Sequence, residues 1–212
     1  MNRDCVNLEN IESRDIESKD VEFRDIDSKY ISKKVRENKE TIIRFLGYGK
    51  REIPLSIYRK VDSAILDIEN LLDIQYEYRI FSDYAFAIYT VGNIVEEKIK
   101  EYMNDKEMMN SLILDKAAIV ALDCIKDEII KKIEDETKKF VDDEIYPSSA
   151  NFSINNQKII LESMKFIDKI KINQYFQLFP IKSVGVKFNL STCKKEYNRC
   201  ENCGNPCENR KK

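Results

Sequence analysis

Histidine is absent from this 212-residue chain, and that one absence removes several chemistries. Ser-His-Asp triads, Cys-His pairs, HExxH zinc sites and His-ligated haem all require an imidazole. Any catalysis falls to carboxylates, Lys, Tyr, Cys, a metal or a borrowed cofactor. Glycine and proline are scarce, at 5 and 4 residues, so the backbone has few natural breaks. No run approaches the roughly eighteen apolar residues of a membrane span, and the charged N-terminus lacks the apolar stretch of a signal peptide. A cytoplasmic address without a membrane partner is the expectation. The 36 basic and 38 acidic residues nearly cancel, which argues against a surface built wholly for nucleic acid.

What is present divides into three parts: a charged arm over 1–37, a core over 38–190 and a cysteine-rich tail over 191–212. The arm carries a five-residue repeat, IESRD, IESKD, VEFRD, IDSKY, between Ile11 and Ile31. Five residues rotate a helix by about 140°, so the repeated Ile and Val share no helical face, and an odd period alternates faces in a strand. Its dense mixed charge predicts a solvated arm.

In the core, Glu40 to Leu46 reads as a short helix stopped by Gly47. After Pro54, Ile57, Val61, Ala64, Ile65, Ile68, Leu71 and Leu72 follow helical spacing. Tyr76 to Tyr89, broken at Ser82-Asp83, is rich in Tyr, Phe and Ile and predicts strands. Thr90 to Asn93 turns the chain into a helix reaching about Met103. A longer helix is expected from about Lys106 to Phe140, its broad apolar stripe interrupted little by polar residues until Lys126, with Cys124 a packed thiol. Asn156 to Lys169 reads as helix, and Ile172 to Phe179 and Val184 to Leu190 as strands. Strands on either side of a helical block, without regular alternation, predict an α+β fold with a mainly antiparallel sheet.

Between the two helical blocks lies a polar stretch, Tyr146 to Gln157, with Pro147, Ser148, Ser149 and Asn151. Proline fixes φ while Ser and Asn side chains bond nearby backbone, so this is a turn, either a plain connector or a loop that places a site. Asp142 and Asp143 beside it read as solvating a helix end. In the tail, Cys193, Cys200, Cys203 and Cys207 follow C-x6-C-x2-C-x3-C. Thiolates at this spacing can converge on zinc or cap an iron–sulfur cluster; the alternative is a tail of free thiols.

Four stretches also carry a family resemblance: IIRFLGYGKREIP from Ile42, YAFAIYTVGNIVEEKI from Tyr84, PSSANFSINNQKII from Pro147 and FPIKSVGVKF from Phe179. Their order and spacing, over roughly Asn38 to Arg210, resemble the activation (reactivation) domain of cobalamin-dependent methionine synthase in a stand-alone bacterial form. The resemblance implies an α+β activation-domain fold and a part in reductive remethylation of cobalamin carried by a corrinoid partner. It also implies that the loop is the methyl-donor segment, Arg-x-x-Pro-Gly-Tyr in the family. Here Glu144, Pro147, Ser148 and Ser149 occupy those positions and Gln157 keeps the loop's frame. Loss of the arginine cation and of Gly-Tyr implies weakened or lost binding of S-adenosylmethionine, with Glu144 repelling its carboxylate. The alternative function is a non-catalytic interaction protein on the same fold, bearing a metal or cluster on its tail.

Overall fold

The structure is a computed structural model that describes residues 26–48, 52–149 and 151–193. Six helices and six strands alternate irregularly among these residues: α1 Ser28–Glu37, α2 Lys39–Phe45, α3 Leu55–Leu71, β1 Gln75–Ile80, β2 Tyr84–Thr90, α4 Ile94–Asn104, α5 Met108–Thr137, β3 Phe140–Ile145, α6 Asn156–Glu162, β4 Lys171–Ile172, β5 Leu178–Phe179 and β6 Ser183–Ser191. The sheet runs β1-β2-β6-β3, antiparallel throughout, and β4 and β5 form a separate two-stranded hairpin. The architecture is therefore α+β with an antiparallel sheet, as the sequence predicts.

Alternation along the strands sends two sets of side chains to opposite faces. Tyr76, Tyr78, Ala85, Ala87, Tyr89, Val186 and Phe188 enter the main core with α1, α3, α4 and α5. Phe86 and Ile88 point the other way and meet Phe152, Ile160, Ile170 and Leu178 in a second, smaller core. The sheet is thus the middle of three layers, with the long helices on one face and α6 with the β4–β5 hairpin on the other.

Helix α5 is the spine of the helical layer. Thirty residues give it a length of about 45 Å. Ile113, Leu114, Ala117, Ala118, Val120, Ala121 and Ile125 are buried almost all round, and beyond them burial narrows to a stripe through Ile129 and Ile133. Cys124 is a packed thiol, as expected: burial, with Asp127 and Asp123 nearby, pushes it up to about 12. The helix stops at Lys138, whose left-handed φ of 57° ends the α ladder. Gly92, at φ 88°, makes the turn before α4, and a β-carbon there would lie 2.6 Å from Cβ of Asp73. Only glycine fits that turn.

Four expectations need correction. Helix α5 does not run to Phe140; Phe140 opens β3, an edge strand whose Asp-Asp-Glu centre hides its period. Asp142 and Asp143 therefore lie within a strand, at a break in register, and not at a helix end. Helical structure after the loop ends at Glu162, where Oε1 and Oε2 of Glu77 draw the N–H groups of Lys165, Phe166 and Ile167 out of a helical path at 2.7, 2.8 and 3.0 Å. The apolar run from Ile172 is interrupted because Oδ1 of Asn173 accepts the N–H of Tyr175 and Gln177, leaving two-residue strands on either side.

The packed body also begins earlier than residue 38. Asp27 caps α1 by accepting the N–H of Lys29 at 3.2 Å, and Ile31 and Val35 are fully buried against α3 and α5, with Ile26 beside them. The repeat upstream of Ile26 lies outside the described residues. Ile31, the last repeat position, shares the buried face of α1 with Val35, four residues on and outside the repeat. Ile31→Ala is expected to cost about 2–5 kcal/mol in urea unfolding; a change below about 0.5 kcal/mol, the size of a surface substitution, would show that α1 is not part of the core.

Candidate functional site

The loop after β3 is built by its own backbone. Ser149 donates its N–H to Tyr146 O at 3.0 Å and its hydroxyl to the same oxygen at 2.7 Å. Ser148 N–H reaches Phe152 O at 2.8 Å and Phe152 N–H returns to Ser149 O at 3.0 Å. Phe152 is buried in the smaller core and pins this hairpin to the sheet. Ser148 sits at φ 82°, the left-handed region that favours glycine, although it is a serine. This is the position at which the resemblance expects Gly.

Gln157, in the first turn of α6, is buried to 7% exposure and lies over the central strand. A β-carbon on Gly185 would come 2.8 Å from Nε2 of Gln157, so the bare glycine backbone is what lets the amide settle on the sheet. Gln157 and Gly185 belong to the face that carries α6.

Glu144 belongs to the other face. It pairs across β6 with Phe188, which enters the main core, and it points at α5. Its carboxylate meets Lys126 Nζ at 2.8 Å, and the two side chains are 5% and 3% exposed. The Tyr146 hydroxyl donates to the same Glu144 Oε2 at 2.7 Å and accepts from Lys126 at 3.3 Å, closing a three-membered circuit. Asp123, one turn back on α5, stands 3.6 Å from the ammonium but is half exposed. The expected repulsion of a ligand by Glu144 is therefore corrected: its charge is matched within hydrogen-bond distance by Lys126.

The predicted residues thus fall into two groups. Ser148 and Ser149 form the turn and Gln157 lies beneath it, whereas Glu144 belongs to a buried ion pair on the opposite face. Tyr146 joins the groups, because its carbonyl receives Ser149 and its hydroxyl touches Glu144. Pro147, half-buried, sets the backbone between them. Lys126 and Tyr146 are not among the residues that the motif singles out. The signal for Lys126 is its place four residues after Leu122 and three before Ile129, inside the buried stripe, where a charge needs a partner.

Of the tail cysteines, Cys193 is exposed just past β6 with its N–H on Ser191 Oγ at 3.1 Å. Cys200, Cys203 and Cys207 lie outside the described residues. Among the described residues no group of three His, Cys, Asp or Glu side chains is placed to hold a metal ion, and no helix is long and apolar enough to cross a membrane.

The strain at Ser148 gives a direct check on the turn. Ser148→Gly is expected to raise stability by up to about 1 kcal/mol, since glycine adopts positive φ without steric cost. A loss of stability on thermal melting would show that the left-handed turn is not formed.

No protein-family model and no curated protein matches the chain. Among solved structures, it is similar to the MetH reactivation domain bound to AdoHcy, with a TM-score of 0.52 and 8% sequence identity. The likeness covers 67% of this chain and 66% of that one, so this chain spans just under two thirds of the neighbour's length. At that identity the likeness shows a shared fold.

Proposed function

We propose that this chain is an accessory module of a cobalamin-dependent methionine synthase system, built on the reactivation-domain fold and acting by docking against a corrinoid-bearing partner. The observation that carries the reading is the coincidence of fold and loop. The similar solved structure is a reactivation domain with AdoHcy bound, and the segment that resembles the family's donor loop keeps its left-handed turn at Ser148 and its buried Gln157.

On this reading the methyl-transfer chemistry belongs to the cobalamin on the partner and to its methyl donor, and the module contributes position. The absence of histidine fits, because the chain carries no imidazole with which to ligate cobalt and the cofactor rests with the partner. The donor pocket is the part given up. Where the family has an arginine, this chain has a carboxylate already neutralised by Lys126, and Ser149 spends its hydroxyl on the backbone. Two free ligand-binding groups are thereby replaced by internal bonds.

Immobilised protein is expected to retain a cobalamin-loaded methionine synthase module, while calorimetric titration with S-adenosylmethionine or AdoHcy shows no binding. Failure to retain any corrinoid protein would remove the docking role. Micromolar affinity for either nucleoside would show that the pocket is intact.

A second reading, a metal- or cluster-bearing interaction protein on the same fold, is favoured by one feature. Cys193 leaves the central strand β6 exposed and leads directly into the C-x6-C-x2-C-x3-C run. Zinc or iron bound by Cys193, Cys200, Cys203 and Cys207 is expected to appear stoichiometrically in protein purified without oxygen and to vanish in a C200S/C203S variant that keeps its fold. Metal-free protein with four titratable tail thiols would end this reading.

A further inference from the structure

The thin layer that α6 and the β4–β5 hairpin lay on the sheet is basic and shows apolar groups to solvent. Between Phe152 and Lys182 it holds Lys158, Lys165, Lys169, Lys171 and Lys182 against Glu162 and Asp168, an excess of three positive charges. Lys165 and Lys171 are exposed and make no ion pair among the described residues. Phe166 and Tyr175 are 61% and 75% exposed, and Ile159, Phe179 and Ile181 in the same stretch are exposed as well. Two other surfaces have one of these properties each. Helix α1 is basic, with Lys29, Lys33, Lys34 and Arg36, but its Ile31 and Val35 are buried. The α4–α5 corner exposes Met103, Met108 and Leu112, but from Ile94 to Thr137 twelve acids stand against seven bases. Of the three, the α6 and hairpin layer alone joins positive charge to exposed aromatic surface.

The N-terminal arm has the complementary composition. Residues 1–25 contain eight Asp and Glu against four Lys and Arg, and each unit IESRD, IESKD and VEFRD offers a β-branched apolar residue, two acids and one base. The cysteine tail from residue 194 has six Lys and Arg against three Glu, so like charge sets it against the same layer. The arm also joins the structure at the rim of this layer. Ile26 is buried, Ser28 Oγ donates to Leu72 O at 3.4 Å, and the next residue, Asp73, meets Lys169 Nζ at 2.6 Å just before edge strand β1. Twenty-five residues span roughly 80 Å extended and about 37 Å as a helix, so reach sets no limit.

We propose that residues 1–25 lie back over the α6 and hairpin layer as an intramolecular strap, with their acids on Lys165 and Lys171 and their repeated apolar residues against Phe166 and Tyr175. Exposed ion pairs are individually weak. A tethered segment acts at a high effective concentration, so several weak contacts hold it in place. The five-residue period, which gives no stripe on a helix, suits this use, because it delivers an apolar residue and acids at regular intervals along a surface. The strap covers the face of the sheet on which Gln157 lies.

The test uses the full chain. Carbodiimide, which joins a carboxylate to an amine at contact distance, is applied to a mixture of isotopically light and heavy protein, and linked peptides are identified by mass spectrometry. Links from Lys165 or Lys171 to carboxylates of residues 4–25 within one copy are expected. Tryptic cleavage after Arg14 and Lys19 is followed in parallel, because its rate tracks the undocked population. K165E/K171E is expected to speed this cleavage at least about fivefold and Y175S to speed it less, whereas K100E on α4 leaves it unchanged. If K165E/K171E does not fold, K165Q/K171Q is held to the same ordering. Arm carboxylates that link only to α1 lysines, only between copies or to nothing overturn the proposal. So does a folded K165E/K171E whose arm is cleaved at the wild-type rate.

Discussion

A four-stranded sheet whose central strand β2 is apolar on both faces must be covered on both faces, and most of this structure answers that requirement. In β2, Ala85, Ala87 and Tyr89 point to the long helices while Phe86 and Ile88 point away, and all five are buried. The helical layer satisfies one side with α5 laid along it. The other side has only α6 and the β4–β5 hairpin, elements too short to be stable alone. They are held by polar groups from the sheet or beside it. Glu77 collects three backbone N–H groups, and Gln157 settles over Gly185. Glu96 accepts the N–H of Lys182 at 2.7 Å, and Lys182 in turn meets Asp115 at 2.5 Å. Burial alone would raise the Asp115 carboxyl, but hydrogen bonds from Lys182 and Lys116 outweigh it and hold it below the usual range.

The polar loop from Tyr146 is part of the same solution. It carries the chain from edge strand β3 on to α6, and its turn is tightened until Phe152 reaches the smaller core. A loop stretched over an apolar surface, with backbone and hydroxyls bonded to one another, has stiffness suited to holding a ligand. The same bonds leave few groups free to do so. A fold comparison does not separate the path of a loop from the groups that the loop leaves free. Ser148 holds a left-handed turn, Gln157 is buried beneath it, and the Ser149 hydroxyl is bonded to the loop's own backbone. Fold by itself does not decide between an active module and a docking one.

Electrostatics sharpen the separation. A lone carboxylate at residue 144 would make the region hostile to any acidic ligand. A carboxylate bonded to a buried ammonium and a phenol has its charge matched at hydrogen-bond distance. The two cases look alike in a motif and differ because Lys126 arrives from a helix eighteen residues earlier in the chain.

Much of the fold was legible in the sequence. The spacing of Ile57 to Leu72 and of Ile113 to Ile133, the break at Ser82-Asp83 and the bend at Gly92 determined α3, α5, the β1–β2 hairpin and the start of α4, because local periodicity and turn chemistry act over a few residues. The α+β class followed from the order of these segments. Its polar composition located the loop, in which Ser148 and Ser149 form a turn with Gln157 buried beneath it. What tertiary structure alone decided was pairing. Phe140 to Ile145 became a strand because β6 offered an edge, against a sequence dominated by acids. Ile31 and Val35 became core because α3 and α5 supplied a surface for them. Glu144 became half of an ion pair because a buried lysine required an anion and the β3–β6 register brought this one to it. Such choices depend on contacts between residues far apart in sequence, where burial changes the free energy of a charge or an edge by more than any local preference does.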